Sequence, residues 1–298
     1  MLTACSLCPR ECGVDRLNGE KGFCNLGDVM VIQQALPHFG EEPPLSGVRG
    51  AGTIFFSSCN LKCIYCQNYQ ISHFRLGRPT RESDCARMML DLQEQGCHNI
   101  EVVSGTPHLA GLIGAIIDAV DKGLTIPLVY NCGGYESVEA LRHLEGIVDV
   151  YLPDFKYAGE EYSYPLSGVR DYGVRALDAL GEMASQVGAA LEVEEGIAQA
   201  GMIIRHLVLP GMVENSLQVL RTIEENLSTS IPLSIMSQYT PAPPMMNHPL
   251  LGRRITKEEY EQVVNEAMNL GFEYLFVQDV DEEQLLPDFE RDRPFQWK

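Results

Sequence analysis

Cysteine is the residue type whose spacing in this chain points most directly to chemistry. Seven of the ten cysteines fall into two tight groups, Cys59, Cys63 and Cys66 in one, and Cys5, Cys8, Cys12 and Cys24 in the other. Thiolates bind soft metals and iron–sulfur clusters. A cubane cluster has four irons, so the group of three thiolates would leave one iron free to bind a small molecule. The sequence therefore predicts an iron–sulfur cluster with one open position at this loop. A zinc knuckle, or a structural cluster that borrows a distant cysteine, is the alternative.

The N-terminal group, Cys5-x2-Cys8-x3-Cys12-x11-Cys24, offers four thiolates and can complete the coordination of a metal by itself. Zinc and a second iron–sulfur cluster both accept four thiolates. A site that is closed in this way is structural or carries electrons, because it leaves no position for a substrate. We therefore expect bound metal at the N-terminus, either zinc or iron–sulfur.

The elements that must position these cysteines alternate between strand and helix from residue 51 onward. Short apolar runs predict strands at 53–57, 99–104, 126–131, 148–153, 202–209 and 232–237, and helical patterns lie at 81–95, 109–122, 137–144, 170–187 and 215–226. A further helix is expected after Thr256, which forms a capping box with Glu259. Apolar strands separated by helices predict a parallel sheet, with the functional residues at the carboxyl ends of its strands. Cys59 directly follows the first predicted strand.

Polar residues stand at or near the ends of the other predicted strands. They are Ser104 and Thr106 after the second, Asn131 at the end of the third, Asp154 and Lys156 after the fourth, Arg205 within the fifth and Tyr239 after the sixth. Asp154 and Lys156 alternate and so face the same side, where they bind a ligand or form a structural ion pair. Arg205 in an apolar strand needs a ligand or a buried partner. The run from Asn131 through Gly133 and Gly134 is either part of a site or merely a tight turn.

The alternation of predicted strands and helices begins at residue 51, and this position indicates the domain organisation. Residues 1–50 are rich in glycine, proline and cysteine, and we expect a loop-rich extension that is bound to its own metal. Residues 51–298 would then form the α/β domain, with a C-terminal helix and tail.

Composition narrows the classes of partner. The formal charge of −19 would repel a phosphate backbone, so we expect no nucleic acid. No apolar segment is long enough to span a bilayer, and the first residues lack the pattern of a secretion signal, so we expect no membrane and a cytoplasmic location. In a reducing compartment, clustered cysteines indicate metal ligation rather than disulfides.

The spacing Cys-x3-Cys-x2-Cys, with Tyr65 before the last cysteine and a strand before the first, resembles the signature of the radical S-adenosylmethionine (SAM) superfamily. Over essentially its whole length the chain resembles the branch related to pyruvate formate-lyase activating enzyme that carries an extra N-terminal cysteine motif, here Cys5-Ser-Leu-Cys8-Pro-Arg-Glu-Cys12. The resemblance implies a partial (β/α)6 barrel, a [4Fe–4S] cluster and reductive cleavage of SAM to a 5′-deoxyadenosyl radical. It also implies hydrogen abstraction from a protein or peptide, such as a glycyl radical enzyme, and an electron donor such as flavodoxin or ferredoxin.

The resemblance also assigns residues. It implies that Cys59, Cys63 and Cys66 hold the cluster. Tyr65 and Asn68 would lie at the adenine, Ser104 and Thr106 would serve the SAM amino group, and Asn131 would serve the ribose. Asp154 and Lys156 match a paired Asp-x-Lys in which Lys156 would neutralise the SAM carboxylate, and Arg205 and Tyr239 would lie near the cofactor. The activating enzymes carry Gly-Gly-Glu where Ser104 begins its run and a histidine near Tyr239. These departures leave open a small metabolite as the substrate. An iron–sulfur electron carrier that does not use SAM is the third interpretation.

Overall fold

The computed structural model describes residues 1–280 and 286–295. Within them the strands are β1 Met30–His38, β2 Ala51–Phe56, β3 Arg78–Thr80, β4 Ile100–Val103, β5 Leu128–Cys132, β6 Val150–Pro153, β7 Glu192–Glu194, β8 Ile197–Met202, β9 Ile204–Leu207, β10 Leu233–Met236 and β11 Leu275–Val277. The helices are α1 Pro43–Ser46, α2 Tyr69–Ser72, α3 Glu82–Glu94, α4 Leu109–Asp121, α5 Val138–Arg142, α6 Glu160–Ser167, α7 Tyr172–Val187, α8 Val213–Asn226 and α9 Lys257–Asn269.

The strands form two sheets whose central members run parallel. The larger sheet has the order β3-β1-β2-β4-β5-β6-β8-β7, and the smaller has the order β11-β10-β9. Strands β2, β4, β5, β6 and β8 pair in parallel, as do β9, β10 and β11. A parallel bridge between Asp154 and Arg205 joins the end of β6 to β9. The predicted α/β fold with a parallel sheet is confirmed, and its strands follow the chain order of a partial barrel.

Burial explains why these segments form strands and helices. Every residue of β2, β4 and β6 is buried, as expected for parallel strands that are covered on both faces. The helices that cover the sheet each turn an apolar stripe inward, such as Ala176, Ala179 and Met183 of α7. The capping box of Thr256 and Glu259 is present at the start of α9, as predicted.

The prediction of a loop-rich N-terminal extension is right for residues 1–29 and wrong for residues 30–38. Residues 1–29 contain one short 3-10 helix, Arg16–Asn18, whereas β1 pairs antiparallel with β2 from Ile32 to His38 and also with β3. Strand β1 has no helix before it and no regular alternation of polar and apolar residues, so periodicity could not identify it. Its backbone groups are satisfied by a strand that lies later in the chain.

Two other features differ from the prediction. The strand expected at 202–209 is divided into β8 and β9, because the chain leaves one sheet and enters the other at Ile203. The C-terminal segment packs back on the sheet, where Phe289 and Phe295 contact Phe55 of β2. Residues 281–285 and 296–298 of the predicted tail lie outside the described residues. In the described parts of the chain, no helix combines the length and the apolar character needed to cross a bilayer.

Candidate functional site

A cavity of about 540 Å³ lies at the carboxyl ends of the parallel strands. Most of the residues that the sequence singled out line it: Cys59, Cys63, Cys66, Tyr65, Asn68, Ser104, Thr106, Asn131, Asp154, Lys156 and Arg205. This volume is in the range of sites for one cofactor or small ligand. The rule that parallel strands bring polar residues to a common edge therefore holds for the ends of β2, β4, β5 and β6.

The cysteine loop is held in a tight conformation after β2. Ser58 and Lys62 have the left-handed φ values of 74° and 54°, which non-glycine residues rarely adopt and which cluster at functional sites. The backbone N–H of Leu61 donates to Cys59 Sγ at 3.3 Å, and the N–H of Cys66 donates to the carbonyl of Cys63 at 3.0 Å. The backbone thus folds around the three thiols.

The thiols of the loop also receive side-chain hydrogen bonds. Ser167 Oγ donates to Cys63 Sγ at 3.0 Å, and Ser72 Oγ donates to Cys66 Sγ at 3.2 Å. Donors of this kind stabilise thiolates and tune iron–sulfur clusters. The sequence analysis missed both serines, because they come from α6 and α2 and no local pattern links them to the loop.

The donor set fits a cluster better than a single ion. Burial is the largest cause that raises the pKa of Cys59, and it raises the pKa of Cys66 to about 12; the neighbouring Cys63 adds to both shifts. These thiols therefore need a cation in order to ionise. Among residues 1–280 and 286–295, however, no group of three or more His, Cys, Asp or Glu side chains is arranged to hold one metal ion. The three thiols line a cavity instead, which matches a cluster of several irons.

Cys132 is a fourth thiol in the wall of the same cavity. It is turned toward the buried carboxyl of Glu136, with which it forms a side-chain hydrogen bond. Burial raises the pKa of Glu136 to about 7, and its Oε1 atom has no hydrogen-bond partner. This thiol therefore has a partner other than the cysteines of the loop.

Asp154 and Lys156 share one face at the end of β6, as predicted. The Lys156 ammonium is bound by the Asp154 carboxylate, and both side chains are about four-fifths buried. Burial opposes the charge on Lys156, but Asp154 and the thiols of Cys63 and Cys59 outweigh it and raise the pKa of this lysine. Lys156 therefore remains a cation beside the cysteine loop. Asp154 and Lys156 form an ion pair and also line the cavity. Both interpretations from the sequence, a structural ion pair and a ligand-binding pair, are therefore compatible with the structure.

Asn131 is the residue before the last of β5, and it contacts both the cavity and the buried carboxyl of Glu101. Its Nδ2 donates to Glu101 Oε1 at 2.6 Å, and Thr53 Oγ1 donates to Glu101 Oε2 at 3.1 Å. Burial is the first cause that raises the pKa of Glu101 to about 8, which favours the neutral form of its carboxyl. The sequence analysis missed Glu101, although an acid in an otherwise apolar strand was the same signal that identified Arg205.

The tight-turn interpretation of the segment after Asn131 is also correct. Gly134 has a φ of 76°, and a Cβ at this position would overlap the carbonyl oxygen of Asp154. Glycine therefore lets the turn after β5 pass close to the end of β6. The turn brings Asn131 and Asp154 to the same cavity.

Arg205 has buried partners. Its Nε donates to Glu42 Oε1 at 2.8 Å, and its guanidinium is also bound by Glu41. Although burial alone would raise the pKa of Glu42, Arg205 lowers it, so the pair stays charged. The three side chains line the cavity.

Tyr239 is the predicted site residue that the structure places behind the cavity wall. It is fully buried, its hydroxyl donates to the carbonyl of Leu251 at 2.8 Å, and its ring meets Tyr65 edge-on at 6.2 Å. Tyr65 itself lines the cavity and accepts a hydrogen bond of 2.8 Å from the hydroxyl of Tyr157. Any effect of Tyr239 on a ligand would therefore pass through Tyr65.

The four N-terminal cysteines converge on a separate, small cavity of about 20 Å³. Arg10, Arg16 and Phe23 complete much of its wall. Asn60 of the cysteine loop lines both this cavity and the large one. The predicted convergence of Cys5, Cys8, Cys12 and Cys24 is therefore present in the fold.

Comparisons with known sequences point to one family. The sequence model of the radical SAM superfamily matches residues 53–223. An uncharacterized protein of Methanocaldococcus jannaschii is 30% identical over 282 residues, which are 91% of this chain and 76% of that protein.

Comparisons with solved structures agree on the fold. SuiB of Streptococcus suis, crystallised with S-adenosylmethionine, has a TM-score of 0.53 at 11% identity, covering 74% of this chain and 48% of SuiB. Methylornithine synthase (PylB) has a TM-score of 0.52 at 12% identity, covering 83% and 77%. The hydrogenase maturase HydG of Carboxydothermus hydrogenoformans has a TM-score of 0.52 at 10% identity, covering 76% and 52%. The chain thus spans about half the length of SuiB and HydG.

Proposed function

The chain belongs to the radical SAM superfamily, and from this premise we propose that it is an enzyme that reductively cleaves SAM and uses the resulting 5′-deoxyadenosyl radical to abstract hydrogen from a substrate. The observation that carries the proposal is that Cys59, Cys63 and Cys66 line one cavity together with polar residues from the ends of parallel strands. A [4Fe–4S] cluster on these thiols would supply the electron for cleavage and an open iron for the amino and carboxylate groups of SAM.

The side chains of the protein orient SAM. Lys156, kept cationic by Asp154, would neutralise the SAM carboxylate. Asn131 already donates to Glu101 through its amide nitrogen, so its amide oxygen is the atom that can accept from a ribose hydroxyl. The hydroxyls of Ser104 and Thr106 can accept from the SAM ammonium group.

Aromatic side chains cover part of the cavity. Phe55 of β2 and Phe295 of the C-terminal segment form part of its wall, and their rings pack in a tilted arrangement with centroids 5.3 Å apart. An apolar wall protects a reactive radical from side reactions with solvent.

The substrate that we propose is a protein or peptide, of which a glycyl radical enzyme is the candidate from the resemblance. SuiB, which shares the fold, has been crystallised with its precursor peptide SuiA. A small metabolite is the second candidate, because the cavity of about 540 Å³ leaves little space beside SAM. An adjacent reading frame for a glycyl radical enzyme would favour the first candidate.

The remaining assignments complete the proposal. The N-terminal quartet binds zinc or an iron–sulfur cluster, and a flavodoxin or ferredoxin supplies electrons. A reducing, cytoplasmic location suits a chain whose ten cysteines are all free thiols. The formal charge of −19 disfavours nucleic acid as a partner.

The test is anaerobic reconstitution followed by addition of SAM and dithionite. Wild-type protein should form 5′-deoxyadenosine, and Cys63→Ala should form none because the cluster is lost. Cys132→Ala, the matched cysteine variant in the same cavity, should keep the loop cluster. A reconstituted wild-type protein that carries a cluster but forms no 5′-deoxyadenosine would instead be the electron carrier.

A further inference from the structure

The cysteine loop has an inner face and an outer face. Cys63 and Tyr65 line the cavity where we place SAM. Their neighbour Lys62 donates from its Nζ to the carbonyl of Phe23 at 3.0 Å, and Ile64 is 39% exposed. A partner protein would therefore reach the loop from its outer face, because SAM would occupy the inner one.

Three cationic side chains meet at this outer face. Arg75 Nη1 donates to the carbonyl of Asn25 at 3.1 Å, two residues after the carbonyl that Lys62 binds. The guanidinium of Arg10 lies 3.6 Å from the centroid of the Phe23 ring, and the Lys62 ammonium lies 4.9 Å from the same centroid. The three side chains are thus gathered around one short segment of the N-terminal extension.

The charges of these three cations are not neutralised by acids. They bind backbone carbonyls, and none of them forms an ion pair with a residue that the structure describes. Several exposed cations elsewhere in the protein do pair with acids, as Arg87 does with Asp84 and Lys122 with Asp118. The formal charge of the whole chain is −19. The outer face of the loop is therefore locally positive on a negative protein, and such a field attracts an acidic partner.

Exposed aromatic rings accompany the cations. Phe74, which directly precedes Arg75, is 71% exposed, and Phe23 is 38% exposed. Interfaces between proteins combine aromatic rings with arginine side chains, so the rings offer a partner apolar contacts in addition to charge. We call this set the cationic surface, and it consists of Arg10, Phe23, Lys62, Phe74 and Arg75.

The cationic surface is joined to the backbone on both sides of Cys59. Ser58 Oγ donates to the carbonyl of Cys24 at 2.5 Å, and Arg10 Nε donates to the carbonyl of Asn60 at 2.9 Å. A molecule that binds to this surface would therefore lie next to the loop that holds the cluster of the proposed function.

We propose that the cationic surface is the docking site of a small acidic electron-carrier protein, which supplies the electron for SAM cleavage. One electron passes from the reduced cofactor of the carrier to the cluster at Cys59, Cys63 and Cys66 and then to SAM. The sulfur–carbon bond of SAM breaks to give methionine and the 5′-deoxyadenosyl radical, and the carrier is oxidised by that one electron. The inference rests on the proposed function, because reductive cleavage is the step that requires a donor.

The test compares two reductants on anaerobically reconstituted protein with SAM. The protein carrier is photoreduced flavodoxin, which is acidic. Arg75→Glu should raise the flavodoxin concentration that gives half-maximal formation of 5′-deoxyadenosine roughly 10-fold, because the variant reverses a charge of the docking site. With dithionite, a small reductant that needs no docking site, the rate should be unchanged, since Arg75 lies outside the cysteine loop. Arg87→Glu, which reverses an exposed charge outside the cationic surface, is the matched control and should behave as wild-type protein with both reductants.

Direct binding gives a second reading that does not depend on SAM cleavage. Isothermal titration calorimetry of oxidised flavodoxin with wild-type protein should show binding that weakens as salt is added, because salt screens charges that are exposed. At low salt, Arg75→Glu should weaken this binding roughly 10-fold, and Arg87→Glu should not.

Three results would overturn the inference. The first is that flavodoxin neither binds wild-type protein nor supports its cleavage of SAM, and the second is that Arg75→Glu and Arg87→Glu require the same flavodoxin concentration. The third is an equal loss of rate with dithionite in Arg75→Glu, which would give this arginine a structural role. Wild-type protein that forms no 5′-deoxyadenosine with dithionite would instead contradict the proposed function, and the binding measurement would still decide whether the carrier docks.

Discussion

The carboxylate of Asp154 binds the ammonium of Lys156 two residues later, where β6 ends and the cavity begins. The pair is largely buried beside the cysteine loop, so the lysine is held as a fixed cation whose direction is set by the aspartate. The ammonium of Lys156 is the cation that would bind the SAM carboxylate. Replacing this lysine therefore tests directly how the cavity binds its ligand.

Lys156→Ala should weaken SAM binding roughly 30-fold, about 2 kcal/mol, because a buried charge-assisted contact is lost. The cluster should remain, since the three thiols are unchanged. Equilibrium binding of SAM to anaerobically reconstituted protein, together with iron analysis, measures both effects. Lys122→Ala, which removes an exposed lysine paired with Asp118, should change neither. Unchanged SAM affinity in Lys156→Ala would leave the Asp154–Lys156 pair a structural feature only.

Arg205→Ala should destabilise the fold by roughly 3–5 kcal/mol. The variant leaves the buried carboxylates of Glu41 and Glu42 without their cation, and it releases the segment after β1 from β9. Chemical denaturation under anaerobic conditions measures the loss. The control is Arg221→Ala, whose partly exposed pair with Glu266 should contribute about 1 kcal/mol or less. Equal effects of the two variants would show that the buried network does not stabilise the fold.

The sequence predicted the cavity well because parallel strands bring their ends together whatever the details of packing. Asn131, Asp154 and Cys59 follow strands that are nearly continuous apolar runs, and such strands are visible without knowledge of their neighbours. Their common location then follows from topology alone.

The features that sequence could not predict depend on contacts between distant segments. Ser167 reaches Cys63 from 104 positions along the chain, and Glu42 reaches Arg205 from 163. Strand β1 forms because it pairs with β2, and no local sequence pattern indicates this pairing. For Tyr239 the sequence correctly predicted a position just after a strand. Its spacing could not show that the side chain points behind the cavity wall.

Tyr239→Phe should lower stability by about 1 kcal/mol and leave SAM affinity unchanged. The variant removes only the hydroxyl that donates to the carbonyl of Leu251, a buried hydrogen bond of ordinary strength. The ring that packs on Tyr65 is kept. Thermal denaturation and SAM binding, measured on the same preparation, separate the two effects. A drop in SAM affinity without a loss of stability would instead restore Tyr239 as a direct contact.

His206 should make the fold sensitive to mild acid. It is fully buried between Phe155 and Ser216. The carbonyl of Phe155 can only accept, so Nδ1–H of His206 donates to it at 2.7 Å, and Ser216 Oγ donates to Nε2 at 2.8 Å. Burial, the largest cause, lowers the pKa of His206 to about 4. The unfolded chain, with a pKa near 6.5, then binds the proton more readily than the folded chain. The stability from the neutral ring is complete above about pH 6.5 and is lost as the pH falls toward 4.

The size of this effect can be isolated by comparison with His206→Asn, whose amide can still donate to Phe155 but does not titrate. Between pH 7.5 and pH 5, wild-type protein should lose roughly 2 kcal/mol more stability than the variant. His108, whose pKa burial also lowers to about 4, is present in both proteins, and its contribution cancels in the difference. Acid damage to a cluster cancels for the same reason. Parallel curves for the two proteins would mean that His206 is not buried as a neutral ring, and its place between Phe155 and Ser216 would have to be reassigned.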